Sequence, residues 1–324
     1  MFIQQLVNGL TLGGVYALIA VGYTMVYGII ELINFAHGEI YMLGAFLAFS
    51  FVTMFNVPFP LAILLSISCC ALFGVILEFI AYRPLRKAPR LAALITAIGA
   101  SLFLQNIALM IWGGRLKTYP KGTIPEIFKS ALFYINDLKI AFCQYYLQFN
   151  GISITGDVRI TLLRGDVSVS LLQYNILIIT IFLMFCLHIL ITQTKIGTAM
   201  RACAQDKTTA SLMGINVNRV ISFTFAVGSG LGAVAGIIVG VYYNAIFPMM
   251  GYTAGVKAFA AAVLGGIGNI PGAMFGGFVL GIAESYGAGY LSSGYRDGIA
   301  YAIMILVIIF RPSGLLGRKT VVKV

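Results

Sequence analysis

Nine predominantly apolar runs divide the chain, near residues 9–30, 37–56, 60–81, 91–112, 171–192, 220–243, 255–269, 272–290 and 295–310. An α-helix rises 1.5 Å per residue, so about 20 apolar residues match a hydrocarbon core ~30 Å thick. In that medium every backbone N–H and C=O must be paired inside the segment, which leaves helix as the form such a run takes. Charged residues make up 10% of the chain, against about 25% in soluble domains. Too little polar surface is left to face water. Outer-membrane barrel strands are short and alternating, whereas these runs are continuous. The fold class is therefore all-α: a polytopic helical membrane protein, with nine spans expected and eight to ten allowed. The range comes from the seventh run. It is short, and Gly265-Gly266-Ile267-Gly268-Asn269-Ile270-Pro271-Gly272 separates it from the eighth. The two runs are either half-helices meeting at a break or one kinked helix.

The opening MFIQQLVNGL carries no Lys or Arg. A secretory signal peptide begins with a basic region, so the first run is expected to stay as an uncleaved span. The net charge of +11 is topology information in such a chain and does not point to nucleic acid. Residues 81–90, 193–219 and the tail from Arg311 hold 12 of the 21 Lys and Arg residues, with Asp206 as their single acid. The positive-inside rule places all three in the cytoplasm. Nine spans satisfy this with the amino terminus outside and the carboxyl terminus inside. Residues 113–170 then form a long external loop, in which Asp157-Val158-Arg159-Ile160-Thr161-Leu162-Leu163 alternates like a short hairpin strand. The whole chain, 1–324, reads as a single transmembrane domain.

The most informative local feature is a polar knot between two apolar flanks: Glu31-Leu32-Ile33-Asn34-Phe35-Ala36-His37-Gly38-Glu39. Ionisable groups are costly in hydrocarbon, and they mark cavities, partners or pathways there. Asn34, His37 and Glu39 are candidate site residues; the plainer alternative is a hydrogen-bonded pair, His37 with Glu39, at a helix terminus. The break at Gly265, Gly266, Gly268, Asn269 and Gly272 is the second candidate, because interrupted helices offer unpaired backbone dipoles to a passing ligand. The two halves share a coarse outline of Gly-rich helix, polar interruption (Asn34 to Glu39 in the first, Gly265 to Gly272 in the second) and further helix, which suggests an internal duplication. Gly228, Gly232, Gly236 and Gly240 recur every fourth residue, as do Gly268, Gly272 and Gly276. Such stripes allow close helix contact, either inside one subunit or along a dimer seam. The five cysteines fit neither a zinc site nor a disulfide framework. No metal or cofactor is expected. Glu78 and Glu284 are expected to be structural partners of nearby cations. Lys257 is long enough to snorkel, and its role stays open.

Segment 193–219 is polar and nearly free of acid. Ala199, Ala202, Cys203, Ala210 and Met213 line one side of a surface helix, with Arg201, Asp206 and Lys207 on the other.

Three stretches together resemble one family. They are TLGGVYALIAVGYTMVYGIIELINFAHGEIYMLGAF; AYRPLR with LAALITAIGASLFLQN and MRACAQDKTTASLMGINVNRVISFTF; and AGVKAFAAAVLGGIGNIPGAMFGGFVLGIAES. The chain is similar nearly end to end to the inner-membrane permease of bacterial branched-chain amino-acid ABC importers, the LivH type. The likeness weakens in residues 113–170 and at the extreme termini. NFAHGE followed by VLGGIGNIPGA is specific to this permease group, and less so to the substrate, since urea and short-amide permeases look alike. The resemblance implies a permease subunit, not an enzyme, in the bacterial inner membrane. It implies a heterodimer with a second homologous permease, two cytoplasmic ABC ATPases, a periplasmic substrate-binding protein and alternating access among membrane lipid. Thr208-Thr209-Ala210-x-x-x-Gly214 looks like the Ala-then-Gly skeleton of the importer coupling loop without its Glu. Arg201, Ala210 and Gly214 are accordingly the expected ATPase-coupling residues; an ordinary interfacial helix is the alternative. Consistently, the chain has no G-x-x-x-x-G-K-[ST] phosphate loop. A stand-alone secondary transporter and a channel remain as rivals, and the motifs of intramembrane and serine hydrolases are missing.

Overall fold

The computed structural model describes residues 2–32, 34–120, 158–161, 166–169 and 171–317. Most of the expected external loop, with Cys143, and the tail residues Arg318, Lys319 and Lys323 lie outside the described residues.

Each apolar run folds as a helix. In chain order these are α1 (Phe2–Ile30), α2 (His37–Thr53), α3 (Phe59–Leu77, continued by a π-helical turn Glu78–Tyr82), α4 (Arg90–Trp112), α5 (Leu171–Gln193), then α6 (Lys195–Gln205) and α7 (Lys207–Leu212) in the polar connection, and α8 (Val217–Tyr242), α9 (Met250–Gly265), α10 (Ile270–Tyr290) and α11 (Arg296–Phe310). Pro58 and Pro60 open α3, and Pro271 opens α10. Proline is tolerated there because first-turn N–H groups have no intrahelical acceptor. The alternating stretch after Asp157 is a strand, β1 (Val158–Thr161), paired antiparallel with β2 (Asp166–Val169).

By length and composition alone, the described helices give fewer independent spans than the nine expected runs. Six helices are long and apolar enough to cross a bilayer alone. α9 and α10 are bent by 119° at their break and make a seventh if they form one span. α2 has 17 residues, about 25 Å, and is short for a crossing. The shortfall has a geometric cause: α2 and α9 both begin inside the bundle. His37, the first residue of α2, packs against Gly22, eight residues before the end of α1. Glycines 251 and 255, in the first turns of α9, pack against Gly38. The chain re-enters from one end to start α2 and from the other to start α9.

Helix ends sort into two groups. Where α1 finishes (the lower end), Lys207 Nζ donates to the Ile30 carbonyl at 3.3 Å, Arg86 donates to Asn218 at 2.6 Å, and the Leu315 amide donates to the Leu264 carbonyl at 2.8 Å. All three basic segments therefore meet at the lower end. At the upper end Ser285 donates to the Gln5 carbonyl, Trp112 to Ser50, and Lys117 pairs with Ile246.

The helices form an inverted pair of four, α1–α4 and α8–α11. Helix α1 packs on α10, and α3 packs on α8; α2 packs on α8, and α9 packs on α1. The break matching 31–36 is thus 243–249. Glu31 (φ 61°) and Asn244 (φ 46°) each end the helix before re-entry in the left-handed region. The Gly265–Gly272 break occupies the place of the α2–α3 link instead. Outline alone had paired the wrong interruptions, because it records that a helix stops and not where the chain goes next.

The stripe Gly228–Gly240 lies inside the subunit, and Gly272 and Gly276 of the second stripe pack on α9, while Gly268 is exposed. Gly228 faces Gly22, Gly232 faces His37, Gly236 faces the Tyr41 carbonyl and Gly240 faces Ile246.

Candidate functional site

The knot folds inward. Asn34, His37 and Glu39 are 2%, 1% and 1% exposed, as buried as the core leucines. Two turn-forming bonds hold the re-entry: His37 N to Asn34 O at 3.1 Å and Glu39 N to Ala36 O at 3.1 Å. Asn34 Oδ1 accepts from the Tyr82 hydroxyl at 2.8 Å, tying the knot to the end of α3. Glu39 Oε1 accepts from Ser101 of α4 at 3.0 Å. His37 lies edge-on to Tyr23, with centroids 4.8 Å apart. The expected His37–Glu39 bond is not among the described contacts; each side chain turns to a different neighbour.

Each of the three keeps one buried polar atom without a partner: Asn34 Nδ2, His37 Nε2 and Glu39 Oε2. An unsatisfied buried polar atom costs ~1–3 kcal/mol, so three in nine residues form a polar interior that a ligand or water can complete. Two helix starts meet at Glu39. It sits in the first turn of α2, and a Cβ on Gly251, in the first turn of α9, would lie 2.5 Å from its free Oε2. Helix amino termini carry partial positive charge, and two of them converge on this carboxyl.

The second candidate lies lower. A Cβ on Gly28, near the end of α1, would lie 3.6 Å from Gly268, which is itself exposed with open space at its own Cβ position; Gly272 packs on Gly265, and Gly266 (φ 104°) packs on the Ser313–Gly317 turn. Asn269 Nδ2 donates to the Leu316 carbonyl at 2.6 Å. The structure does not join these residues to Asn34, His37 and Glu39. Between the two sets lies an aromatic seam: Phe259 sits 5.8 Å from Phe35 and 6.2 Å from Tyr23. A void of only about 10 Å³ remains among Tyr23, Tyr27, Phe259, Ala262 and Ile267. Sequence reading missed Tyr23, Ser101, Gly251 and Phe259. They come from three different helices, α1, α4 and α9, and no spacing in the chain links them.

At the lower end the polar connection is two helices and not one. Thr194 caps α6 by accepting from Gly197 N. Asp206, in extended conformation, ends α6 and caps α7 by accepting from Thr208 N at 2.8 Å and from the Thr209 hydroxyl. The Thr209 hydroxyl, followed by the backbone amides, holds the Asp206 carboxyl below its ordinary range. The restart at Asp206 breaks the periodicity, so Met213, expected on the inner side, is turned out. Leu212 and Met213 are 84% and 79% exposed. Arg201 is exposed and reaches the Thr192 carbonyl and Thr198. Gly214 takes φ 84° with open space around it. Ala210 is buried and packs the helix from beneath.

Glu78 and Glu284 hold cations, as expected. Glu78 pairs with Arg86 and Arg83 and accepts from Ser222 of α8 at 2.7 Å. Glu284 pairs with Lys257 at 2.9 Å and Arg296 at 3.2 Å and accepts from Tyr16 at 2.9 Å. Lys257 does not snorkel; it is 6% exposed and also reaches Asp297 at 2.6 Å. Among the described residues no group of His, Cys, Asp and Glu is placed to hold a metal ion.

A model of the family described as branched-chain amino acid transport system permease component matches residues 5–308. The high-affinity branched-chain amino acid transport system permease protein BraD of Pseudomonas aeruginosa is 44% identical over 331 residues, covering 100% of this chain and 98% of its own. The LivH protein of the same description from Escherichia coli is 43% identical with the same coverage. A probable branched-chain amino acid permease, LivH, of Methanocaldococcus jannaschii is 27% identical over 307 residues, covering 93% and 88% of the two chains. No solved structure matches.

Proposed function

The chain belongs to the family of branched-chain amino acid transport permease components, and from that premise we propose that it forms half of the pathway of an ATP-driven importer for branched-chain amino acids. It is a multi-pass inner-membrane protein. A second, homologous permease supplies the other half, two cytoplasmic ATPases work the cycle, and a periplasmic binding protein delivers substrate. The lower end faces the cytoplasm and the amino terminus lies outside.

One observation carries the orientation and the docking together. The described parts of the three basic segments gather at the end that also presents Leu212 and Met213 on a polar connection, where Ile196 is the other large apolar side chain left exposed, at 46%. Positive charge marks the cytoplasmic side, and two bare apolar side chains there call for a protein surface to cover them. Leu212, Met213, Arg201 and Gly214 are the contact set; Ala210 holds α7 in place. The double variant Leu212→Ser, Met213→Ser is expected to lose co-purifying ATPase while inserting normally, as read by pull-down from membranes. Gly214→Val forces a β-branched residue to positive φ, a cost of about 1–2 kcal/mol. It should leave ATP hydrolysis running while uptake falls. Tight coupling in that variant would remove Gly214 from the hinge.

The knot with its three unpaired polar atoms, the aromatic seam and the Gly265–Gly272 break form the gate, opened when α1, α2 and α9 shift against one another. Replacing His37 or Glu39 with Ala should lower uptake about tenfold, ~1.4 kcal/mol on the transport barrier, with the complex still assembled on size exclusion. Full uptake in both variants would take the gate elsewhere. The reading as a whole is tested by ATP-dependent leucine uptake in proteoliposomes, with isoleucine, valine and urea as competitors. Competition by urea but not by isoleucine or valine would reassign the substrate. Concentrative uptake by the chain alone, without nucleotide, would end the importer reading.

A further inference from the structure

A second polar feature lies at the other end, well away from the knot. Between α1, α5, α8 and α10, and closed by the start of α11, is a cavity of about 160 Å³. At ~30 Å³ per water this holds about five waters, the bulk of a small organic molecule. One wall is apolar: Leu12 and Val15 of α1 and Val239 of α8. The other is polar, with Asn8, Tyr242 and Arg296.

The polar wall is built. Gln173 of α5 donates to Asn8 Oδ1 at 2.9 Å and to the Tyr242 hydroxyl at 3.0 Å. This locks both side chains and leaves the Tyr242 O–H free to donate onward. Arg296 Nε lies 3.2 Å from Glu284 Oε1, an ion pair without hydrogen-bond geometry, and the guanidinium also contacts the Tyr243 hydroxyl. A guanidinium has five N–H donors in a planar fork that matches a carboxylate bidentately. No acid lines the cavity, and Glu284 is the one carboxylate paired with Arg296 among the described residues. Arg296 and Lys257 are also the only basic residues outside the three lower-end segments and the 113–170 loop. The cavity therefore offers a carboxylate anchor facing a short aliphatic wall.

We infer that this cavity is an outer binding site for an aliphatic α-amino acid, its carboxylate held by Arg296 and its side chain by Leu12, Val15 and Val239. The inference rests on the proposed function, which places the upper end outside. The substrate's ammonium group donates to the remaining lone pair of the Tyr242 hydroxyl oxygen, whose other acceptor position is taken by Gln173. Because Arg296 also pairs with Glu284, an arriving carboxylate competes for the guanidinium and turns Glu284 toward Lys257 of α9 and Tyr16 of α1. Occupancy is thereby felt by the two helices that frame the gate.

The test uses the full complex in proteoliposomes, with Val239→Cys in the cavity wall and Ser293→Cys as an exposed control outside it. A membrane-impermeant methanethiosulfonate is added outside, and labelling of each cysteine is read by peptide mass spectrometry. At ten times the half-protecting concentration of L-leucine, labelling of V239C should slow roughly tenfold, the unoccupied fraction being about one in eleven. Labelling of S293C should not change. Leucinamide, which lacks the carboxylate, should not protect. Arg296→Gln should abolish protection and Arg296→Lys should keep part of it. Equal protection by leucinamide, or full protection in R296Q, overturns the site. So does an unprotected V239C in a complex that still shows ATP-driven leucine uptake, and that outcome leaves the importer reading standing. Protection without such uptake supports the site and removes the importer reading. If R296Q does not assemble, R296K and the leucinamide arm still decide.

Discussion

Glu284→Ala is expected to cost the folded chain roughly 3–5 kcal/mol, the range for removing one partner of a buried ion pair. Glu284 is 1% exposed and holds Lys257, Arg296 and Tyr16 together. These come from α9, α11 and α1, so the carboxylate of α10 joins four helices. Without it, Lys257 keeps Asp297, whose side chain is 57% exposed, and the face of the Tyr16 ring at 5.8 Å, and the Tyr16 hydroxyl loses its acceptor. Lys257→Met should cost less, about 1–3 kcal/mol, because Glu284 retains Arg296 and Tyr16. The double variant K257M/E284M should fall short of the sum of K257M and E284M by ~1–3 kcal/mol. It replaces an ionic contact with an apolar one of similar volume, and Arg296 can turn to solvent. Thermal unfolding in detergent, followed by size exclusion, measures E284A and the three members of the cycle. An E284A chain as stable as the parent would show that the network is dispensable and that α10 is held by packing alone.

The second large effect falls on the α1–α10 contact. A Cβ on Gly277 would lie 2.5 Å from both the Cα and the N of Ala17. Those are backbone atoms of the most buried helix in the bundle and have no rotamer by which to move away. Gly277→Ala should cost about 1–3 kcal/mol, as overpacking does. Gly277→Leu should leave no folded chain, because the helices must separate along the whole seam. Gly99, on the outer face of α4, is the matched control: nothing lies within 4 Å of its Cβ position. Gly99→Ala should be neutral or stabilise by ~0.5–1 kcal/mol through backbone entropy. Recovery of monodisperse protein after a temperature series separates the two. Equal recovery of Gly277→Leu and Gly99→Ala would mean that the seam can open without loss.

Both effects bear on how much of the molecule can be read from its residues. Hydrophobic length and continuity are local quantities, and each of the nine expected runs became a helix at its expected place. The clustering of Arg and Lys is likewise a property of the chain, and the three basic segments meet at one end. The knot was legible because Asn, His and Glu are out of place in hydrocarbon wherever the chain goes. The restart at Asp206 was not legible. Its competing cap bonds to Thr208 and Thr209 are short-range, but they decide the face of Met213 only through the angle between α6 and α7. The counterpart of the knot was missed for a related reason. Residues 243–249 hold no charge, and what makes them a break is the left-handed turn at Asn244 followed by re-entry.

By itself the sequence determined the medium, the helices, the charged end, the family and the residues that are costly to bury. All of these follow from the composition of short windows and from motifs. Tertiary structure alone decided that α2 and α9 begin inside the bundle, that Glu39 lies beside the starts of both, that Lys257 meets Glu284 rather than the surface, and that Arg296 closes an aliphatic-walled cavity with α1 and α8. The reason is that these depend on which helix faces which. In a chain apolar nearly all round, hydrophobicity does not choose a face. The choice is made by close contact at glycines and by the pairing of a few buried polar atoms, and both are properties of helix pairs that are distant in the sequence.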